Sequence, residues 1–439
     1  MAQLVKGSKK LLNAWAFYDW ANSVYSLVIA SAVFPIYYQA LFNVANVETV
    51  NVFGGAIRST PLISYTTAAA FLMVSIISPL LSGIADYVGN KKVFMKFFCY
   101  LGAVSCIGLY FFDLDRIYIS LTCYFFGLVG FWGSLVFYNS YLPDVAYNEQ
   151  QDRISAKGYS MGYIGSVLLL IFNLVMVMMP QYFGLGEGDA ASMKAMRISF
   201  ITVGVWWIAF SQYSFYHLPK GVSSGHKVTR RVLLNGFREL RNVYRSLSEN
   251  STLKRYLAAF FVYSMAVQTV MLVATYFGEQ EIAWGGNDKK TIGLISSILI
   301  IQLVAVIGAT LTSRASEKFG NIVTLVVINI IWVGICIVAY FVETPVQFYA
   351  TAGVVGLVMG GIQALSRSTY SKFLPETKDT TSYFSFYDVA EKIGIVIGMV
   401  IYGFIDHITG SMRNSVLFLV VFFIIGVILL LRVPRKSMK

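Results

Sequence analysis

Three charged residues stand together in a segment that is otherwise uncharged from 380 to 405: Asp388, Glu391 and Lys392. Charged groups are costly in hydrocarbon, so these side chains must pair with one another or face water. Asp388 and Lys392 are four residues apart, the spacing of neighbours on a helix, and form a candidate ion pair. Glu391 is then left as an unpaired carboxylate. A carboxylate that is half-buried in a cavity can exchange protons near neutral pH.

Asp19 is a second carboxylate in a largely apolar and aromatic segment, and it is the other candidate for proton coupling. A late apolar segment contains Arg367, whose guanidinium could bind the carboxylate of a substrate. Glu391 or Asp19 could bind an ammonium. The full set predicted to contact substrate is Asp19, Asn22, Tyr25, Gln268, Gln363, Arg367 and Tyr387.

The chain has no pattern that predicts catalysis. It contains no Gly-x-Ser-x-Gly motif and no phosphate-binding Walker loop, and its three histidines are far apart in sequence. The four cysteines fall in apolar runs without the spacing of a metal site. We therefore expect no enzymatic activity, no cofactor and no metal, and transport driven by a gradient rather than by ATP.

Composition indicates a membrane protein. The mean hydropathy is +0.66 and only 13% of the 439 residues are charged, about half the usual fraction for a soluble protein. Twelve stretches of at least 13 residues lack Asp, Glu, Lys and Arg, and ten of them reach the length of about 18 residues that spans a bilayer. We number the predicted helices TM1 to TM12, and their uncharged stretches are 20–47, 59–85, 97–112, 117–143, 158–186, 198–219, 256–278, 291–313, 319–342, 344–366, 393–405 and 414–431.

Lys and Arg are distributed asymmetrically between the two sides of these helices. If the amino terminus is cytoplasmic, 26 of the 34 Lys and Arg residues lie on the cytoplasmic side and seven on the opposite side. The asymmetry predicts that both termini are cytoplasmic. The net charge of +12 is then explained by topology and by contact with anionic lipids of the inner leaflet, not by nucleic-acid binding.

The segment LSGIADYVGNKK after TM2 has a counterpart, SRASEKFGN, after TM8. Asp86 and Gly89 of the first correspond to Glu317 and Gly320 of the second at an offset of 231 residues, and Lys91 follows Gly89. The repeat indicates a duplicated unit. We expect these five residues to act in gating, with Asp86 capping the start of TM11 near 383–385 and Gly89 in a tight turn.

The loop after TM2 resembles the signature of the major facilitator superfamily, with Ser82, Tyr87 and Asn90 replacing its usual glycine and two basic residues. The motifs WAFYDWANS, PLLSGIADY, LPD with RISAKGYSMGYIG, and GGIQALSRS together resemble its vacuolar effluxer-like branch. The resemblance implies an all-α membrane protein of twelve transmembrane helices in two pseudo-symmetric six-helix bundles. It also implies amino-acid transport, since fungal members of that branch export amino acids from the vacuole.

The predicted organisation is a six-helix half over 1–217, a linker over 218–254 and a second half over 255–439. The linker should contain a basic amphipathic helix, Thr229–Ser248, lying on the inner leaflet.

We expect a secondary transporter that moves a small polar or zwitterionic, amino-acid-like solute by alternating access. It would work by proton-coupled efflux or exchange, as a monomer in a bacterial inner membrane. Its predicted partners are the small-molecule substrate, protons and anionic lipids. The alternatives are a transporter of an amphipathic substrate, such as a lipid or a siderophore, and a membrane receptor or scaffold without transport activity.

Overall fold

The computed structural model describes residues 4–52, 54–221 and 232–434. TM1 runs from Lys9 to Ala45 and has a π-helical centre, Tyr25–Val33. The other membrane helices are TM2 Ser59–Val88, TM3 Lys91–Gly108, TM4 Ile117–Asn139, TM5 Asn148–Met178, TM6 Asp189–His217, TM7 Ser251–Glu281, TM8 Asn287–Phe319, TM9 Asn321–Tyr340, TM10 Pro345–Phe373, TM11 Thr380–Thr409 and TM12 Met412–Leu431. A β-hairpin, Thr49–Val52 and Gly55–Arg58, joins TM1 to TM2, and a short helix, Leu142–Val145, follows TM4.

Eleven helices among the described residues are long and apolar enough to cross a membrane. TM11 has 30 residues, but Asp388, Glu391 and Lys392 lie in its first half and reduce its apolar character. Because it packs between TM2 on one side and TM7 and TM12 on the other, we count it as the twelfth span. Twelve crossings place the two ends of the described chain, residues 4 and 434, on one side of the bundle, which we call the terminal side.

The helices bury two large hydrophobic cores. One is formed by TM1 to TM6 and the other mainly by TM7 to TM12. TM2 packs against TM11, and TM5 packs against TM8 and TM10, so these pairs connect the two cores.

The linker helix, Val232–Glu249, packs against the ends of TM2, TM7 and TM11. Val243 and Leu247 are buried there, and the Tyr383 hydroxyl donates to Ser246 Oγ at 2.8 Å. The expectation that its apolar face lies on lipid is therefore wrong for these residues, because the protein itself covers them. Residues 222–231 of the predicted linker lie outside the described residues.

Candidate functional site

TM11 brings its three charged side chains into one cluster with a residue of TM7. Lys392 Nζ contacts Asp388 Oδ1 and lies 3.6 Å from Glu391 Oε2. Gln268 Nε2 donates to Glu391 Oε1 at 2.8 Å. Lys392 is fully buried, whereas the Glu391 side chain is 17% exposed. Glu391 is thus the charged group of this cluster that water can reach.

This TM11 cluster (Gln268, Asp388, Glu391 and Lys392) carries an excess negative charge. Two carboxylates share one ammonium, so the fully ionised cluster has a net charge of −1. Lys392 Nζ also lies 3.8 Å from the centre of the Trp132 ring, which belongs to TM4. The cluster therefore faces the other half of the protein.

Arg367 of TM10 is bound by the amino-terminal half. Its Nη1 and Nη2 donate to Asp19 Oδ2 at 3.4 and 3.3 Å, and its Nε donates to Ser155 Oγ at 3.0 Å. Asn139 Oδ1 and the Ser155 carbonyl accept further bonds at 3.1 Å each. Each of the three guanidinium nitrogens therefore donates at least one hydrogen bond. The planar guanidinium can do this because acceptors surround it.

Aromatic rings enclose the same guanidinium. Its central carbon lies 4.8 Å from the Trp15 ring, 5.4 Å from Tyr138 and 4.3 Å from Tyr159. The Tyr138 hydroxyl also donates to Asp19 Oδ2 at 2.7 Å. Rings at these distances favour a cation that has been removed from water. We call Arg367 with these neighbours the Arg367 cage.

A glycine of TM5 allows the Arg367 cage to close. A Cβ atom at Gly158 would collide with Asp19 Oδ2 and lie 3.2 Å from Arg367 Nη2. Farther along TM5, a Cβ at Gly162 would collide with Ser23 of TM1. These small residues of TM5 therefore allow close helix packing.

Asp86 caps the start of TM11. Its two carboxylate oxygens accept hydrogen bonds from the backbone N–H groups of Thr381, at 3.2 Å, and Ser382, at 2.6 Å. The contact is one to two residues nearer the helix start than expected. Unpaired N–H groups and the helix dipole both favour a carboxylate at this position.

Lys91, just after the Asp86 turn, connects three segments of the terminal side. Its Nζ lies 2.5 Å from Asp144 Oδ2 and donates to the Ser140 carbonyl and to Thr380 Oγ1, each at 2.8 Å. Gly89 ends TM2 at a φ of +71°, a conformation that a side chain disfavours.

A second cluster between the halves was not predicted from the sequence. Asp152 of TM5 accepts hydrogen bonds from Ser316 Oγ and Asn321 Nδ2, both at 2.9 Å, and pairs with Lys372 Nζ at 2.6 Å. We call these four residues the Asp152 cluster. Glu317, which the repeat predicted to act in gating together with Asp86, is exposed and makes no ion pair within the described residues.

The position of the Asp152 cluster explains this correction. The turn at Gly320, with a φ of +83°, brings Ser316 and Asn321 to the interface, while Glu317 points away. The acid that meets them comes from TM5 and has no counterpart in the repeat. The sequence contained two features that could have indicated this contact. Asp152 is an acid in the first turns of TM5, two residues after Gln150, and Lys372 is a lysine near the end of TM10.

The sequence comparisons agree with this architecture. The family model described as "Vacuole effluxer Atg22 like" matches residues 7–439. The chain belongs to the Atg22-like family. It is 30% identical to the uncharacterized MFS-type transporter YxiO of Bacillus subtilis, over 99% of this chain and 97% of that protein. It is 22% identical to autophagy-related protein 22 of Eremothecium gossypii, over 96% of this chain and 90% of that protein.

Solved structures confirm the predicted fold of this Atg22-like protein. The major facilitator FucP in its outward conformation aligns with a TM-score of 0.71 at 14% identity, over 97% of this chain and 99% of FucP. The human organic anion transporter MFSD10 aligns with a TM-score of 0.69 at 11% identity, over 96% of this chain and 99% of MFSD10. The chain is a multi-pass membrane protein and a secondary transporter of the major facilitator superfamily, not an enzyme.

Two residues of the Atg22-like chain that were predicted to contact substrate lie away from the interface between the halves. Asn22 and Tyr25 are buried inside the amino-terminal bundle, and Tyr25 stacks on Phe131 with ring centres 4.9 Å apart. Their face of TM1 carries aromatic groups that complete the core of this half. The expectation that they line a cavity is therefore corrected for this conformation.

The other predicted contacts lie near the interface between the halves. Gln363 Oε1 accepts a hydrogen bond from the Tyr163 hydroxyl at 2.6 Å, which joins TM10 to TM5. Tyr387 is buried and stacks on Phe260, with ring centres 4.0 Å apart. Arg367 and Asp19 bind each other in this conformation.

The conformation of this Atg22-like protein is closed on the terminal side. Asp86 and Asp152 join the two halves near helix ends of that side, and Arg367 joins them about two turns before the end of TM10. These three contacts must break for the terminal side to open.

We expect Asp86→Asn to weaken closure of the terminal side. Loss of the charge removes about 0.3–2 kcal/mol of interaction with the start of TM11, roughly a two- to thirtyfold population shift. The measurement is alkylation of a cysteine placed at Ser160, a half-buried position between the halves. Glu317→Gln, an exposed acid at the equivalent repeat position, is the matched control. Equal alkylation rates in Asp86→Asn and wild type would contradict the gating role.

Proposed function

We propose that this transporter moves a small polar or zwitterionic solute, such as an amino acid, by alternating access and in exchange for protons. The observation that carries the proposal is the excess negative charge of the TM11 cluster, whose accessible member is Glu391. An uncompensated charge is expensive in a closed cavity, so protonation of Glu391 favours closure and deprotonation follows opening to water.

The Arg367 cage supports a substrate that has a carboxylate. Asp19 and Arg367 belong to different halves, and opening of the terminal side separates them. Arg367 would then lose the carboxylate that neutralises it and be free to bind another. A substrate carboxylate replaces Asp19 at this point, and the substrate ammonium is held by Glu391. Gln363 and Gln268 supply neutral hydrogen-bonding groups nearby.

Counterflow in proteoliposomes tests this function. Vesicles loaded with a mixture of unlabelled amino acids should take up a trace of the labelled substrate above its equilibrium level. Uptake only of labelled lipids or siderophores would favour the amphipathic substrate. No uptake of either class would favour a receptor or scaffold.

We also propose that the terminal side is cytoplasmic, as the distribution of Lys and Arg indicates. We propose a bacterial inner membrane as the location because the 30% identical relative comes from a bacterium. We expect opposite labelling of cysteines at 220 and 289, which are exposed lysines on opposite sides, in a variant lacking the four native cysteines. An impermeant maleimide should label only position 289 in intact cells. Labelling of 220 and not 289 would reverse the orientation.

A further inference from the structure

Two adjoining cavities open on the outer surface of the amino-terminal half, where TM1 lies between TM5 and TM6. Both are lined by Asn13 and Lys157. The inner cavity, about 270 Å³, is lined further by Phe17, Met161 and Tyr213. Phe17 and Met161 are each four residues beyond the shared pair, about 6 Å deeper along their helices. The two cavities therefore form one groove that starts at the terminal end of the helices and continues toward the membrane interior.

The charges of the groove are all positive, and none lies deeper than Lys157, where the two cavities meet. The outer cavity, about 330 Å³, is lined by Lys9, Arg153 and Lys157, and no carboxylate lines either cavity. Lys157 Nζ donates to the neutral Asn13 Oδ1 at 2.7 Å. Within the described ranges, no ion pair involves Lys9, Arg153 or Lys157. Three exposed cations thus line one cavity without an ion-pair partner among the described residues.

The inner end of the groove is apolar and aromatic. The Phe17 and Tyr213 rings meet edge to face, with centres 5.0 Å apart, and Tyr213 is 39% exposed. Basic residues near the ends of membrane helices are common on one side of a membrane protein. An apolar channel that continues directly from a cluster of three cations is not required by that rule.

We propose that this groove binds one anionic phospholipid. The phosphate lies among Lys9, Arg153 and Lys157, and the first part of an acyl chain lies along Phe17 and Met161. Charge complementarity selects the headgroup, since basic pockets between membrane helices bind anionic headgroups. The apolar inner cavity favours a lipid over a free phosphate, because it adds contact only for a ligand with a hydrocarbon chain.

The test is lipid retention by the full-length protein, measured by native mass spectrometry after mixing with phosphatidylglycerol or phosphatidylcholine. We expect wild type to retain one phosphatidylglycerol in preference to phosphatidylcholine. Arg153→Gln with Lys157→Gln should weaken that binding roughly tenfold or more, since each basic group near the surface contributes appreciably. The matched control is Lys220→Gln with Lys254→Gln, which removes the same charge from exposed positions that do not line the groove.

A second measurement distinguishes binding of a whole lipid from binding of a phosphate group alone. Glycerol 1-phosphate and inorganic phosphate should not raise the thermal midpoint of wild type, whereas short-chain phosphatidylglycerol should raise it. Met161→Trp, which fills the inner cavity, should reduce lipid retention with all three cations in place. Equal retention by the double groove variant and wild type would overturn the proposal. An equal loss in the control pair, or equal stabilisation by inorganic phosphate, would overturn it as well.

Discussion

Replacing Glu391 with glutamine is expected to abolish solute accumulation driven by a pH gradient while preserving solute exchange at equal pH. Glutamine has the shape of the protonated acid and can keep the contact with Gln268, but it cannot release a proton. A one-for-one exchange allows about tenfold accumulation per pH unit. Wild-type proteoliposomes should approach that ratio, and the variant should remain near one. The measurement is uptake of labelled solute with and without an imposed gradient.

The comparison variant for this experiment is Asp19→Asn. Asp19 is paired with Arg367 in the closed conformation, so its loss should alter closure and substrate affinity but leave a response to the pH gradient. If Glu391→Gln accumulates solute as wild type does, Glu391 has only a structural role. Loss of coupling in Asp19→Asn would then assign proton transfer to Asp19.

Lys392→Met is expected to give the largest loss of stability. Lys392 is buried and contacts both carboxylates of TM11, so methionine leaves Asp388 as an uncompensated buried charge. Removal of one partner of a buried pair typically costs about 3–5 kcal/mol of unfolding free energy. The expected readout is a lower yield of folded protein and a thermal midpoint lower by several degrees in detergent.

The double variant Lys392→Met with Asp388→Leu is the matched control for stability. It removes both charges of the pair, and replacement of a buried pair by apolar groups is often neutral. We expect it to recover most of the lost thermal stability. If Lys392→Met is as stable as wild type, the Asp388–Lys392 pair is not needed to hold TM11 in place.

The membrane helices were predictable because hydrocarbon demands long uncharged segments. The short uncharged stretch in TM11 was also informative, since charges inside a span indicated contact with polar neighbours. The π-helical centre of TM1 was not predictable from apolar content, because both helix types satisfy their own backbone groups.

Side-chain partners were predicted less well than helices. The repeat located the turns at Gly89 and Gly320, and helix-end electrostatics indicated Asp86 near the start of TM11. The same repeat indicated Glu317 instead of Asp152, because symmetry of sequence does not specify which half supplies an acid at an interface. Asn22 and Tyr25 share a polar helix face, but polarity did not distinguish a cavity from an aromatic core.

The contacts of Asp86 and Asp152 differ in the amino-acid substitutions that can remove them. Asp152 binds three side chains, so substitution on either half can remove or replace that contact. Asp86 binds main-chain N–H groups of Thr381 and Ser382, which almost any residue other than proline supplies. The donors on TM11 are therefore present whichever side chains occupy positions 381 and 382, as long as the helix begins at the same place. Among related transporters, the Asp86 contact can change mainly by substitution of residue 86 itself. The Asp152 contact can change by substitution of any of its four side chains.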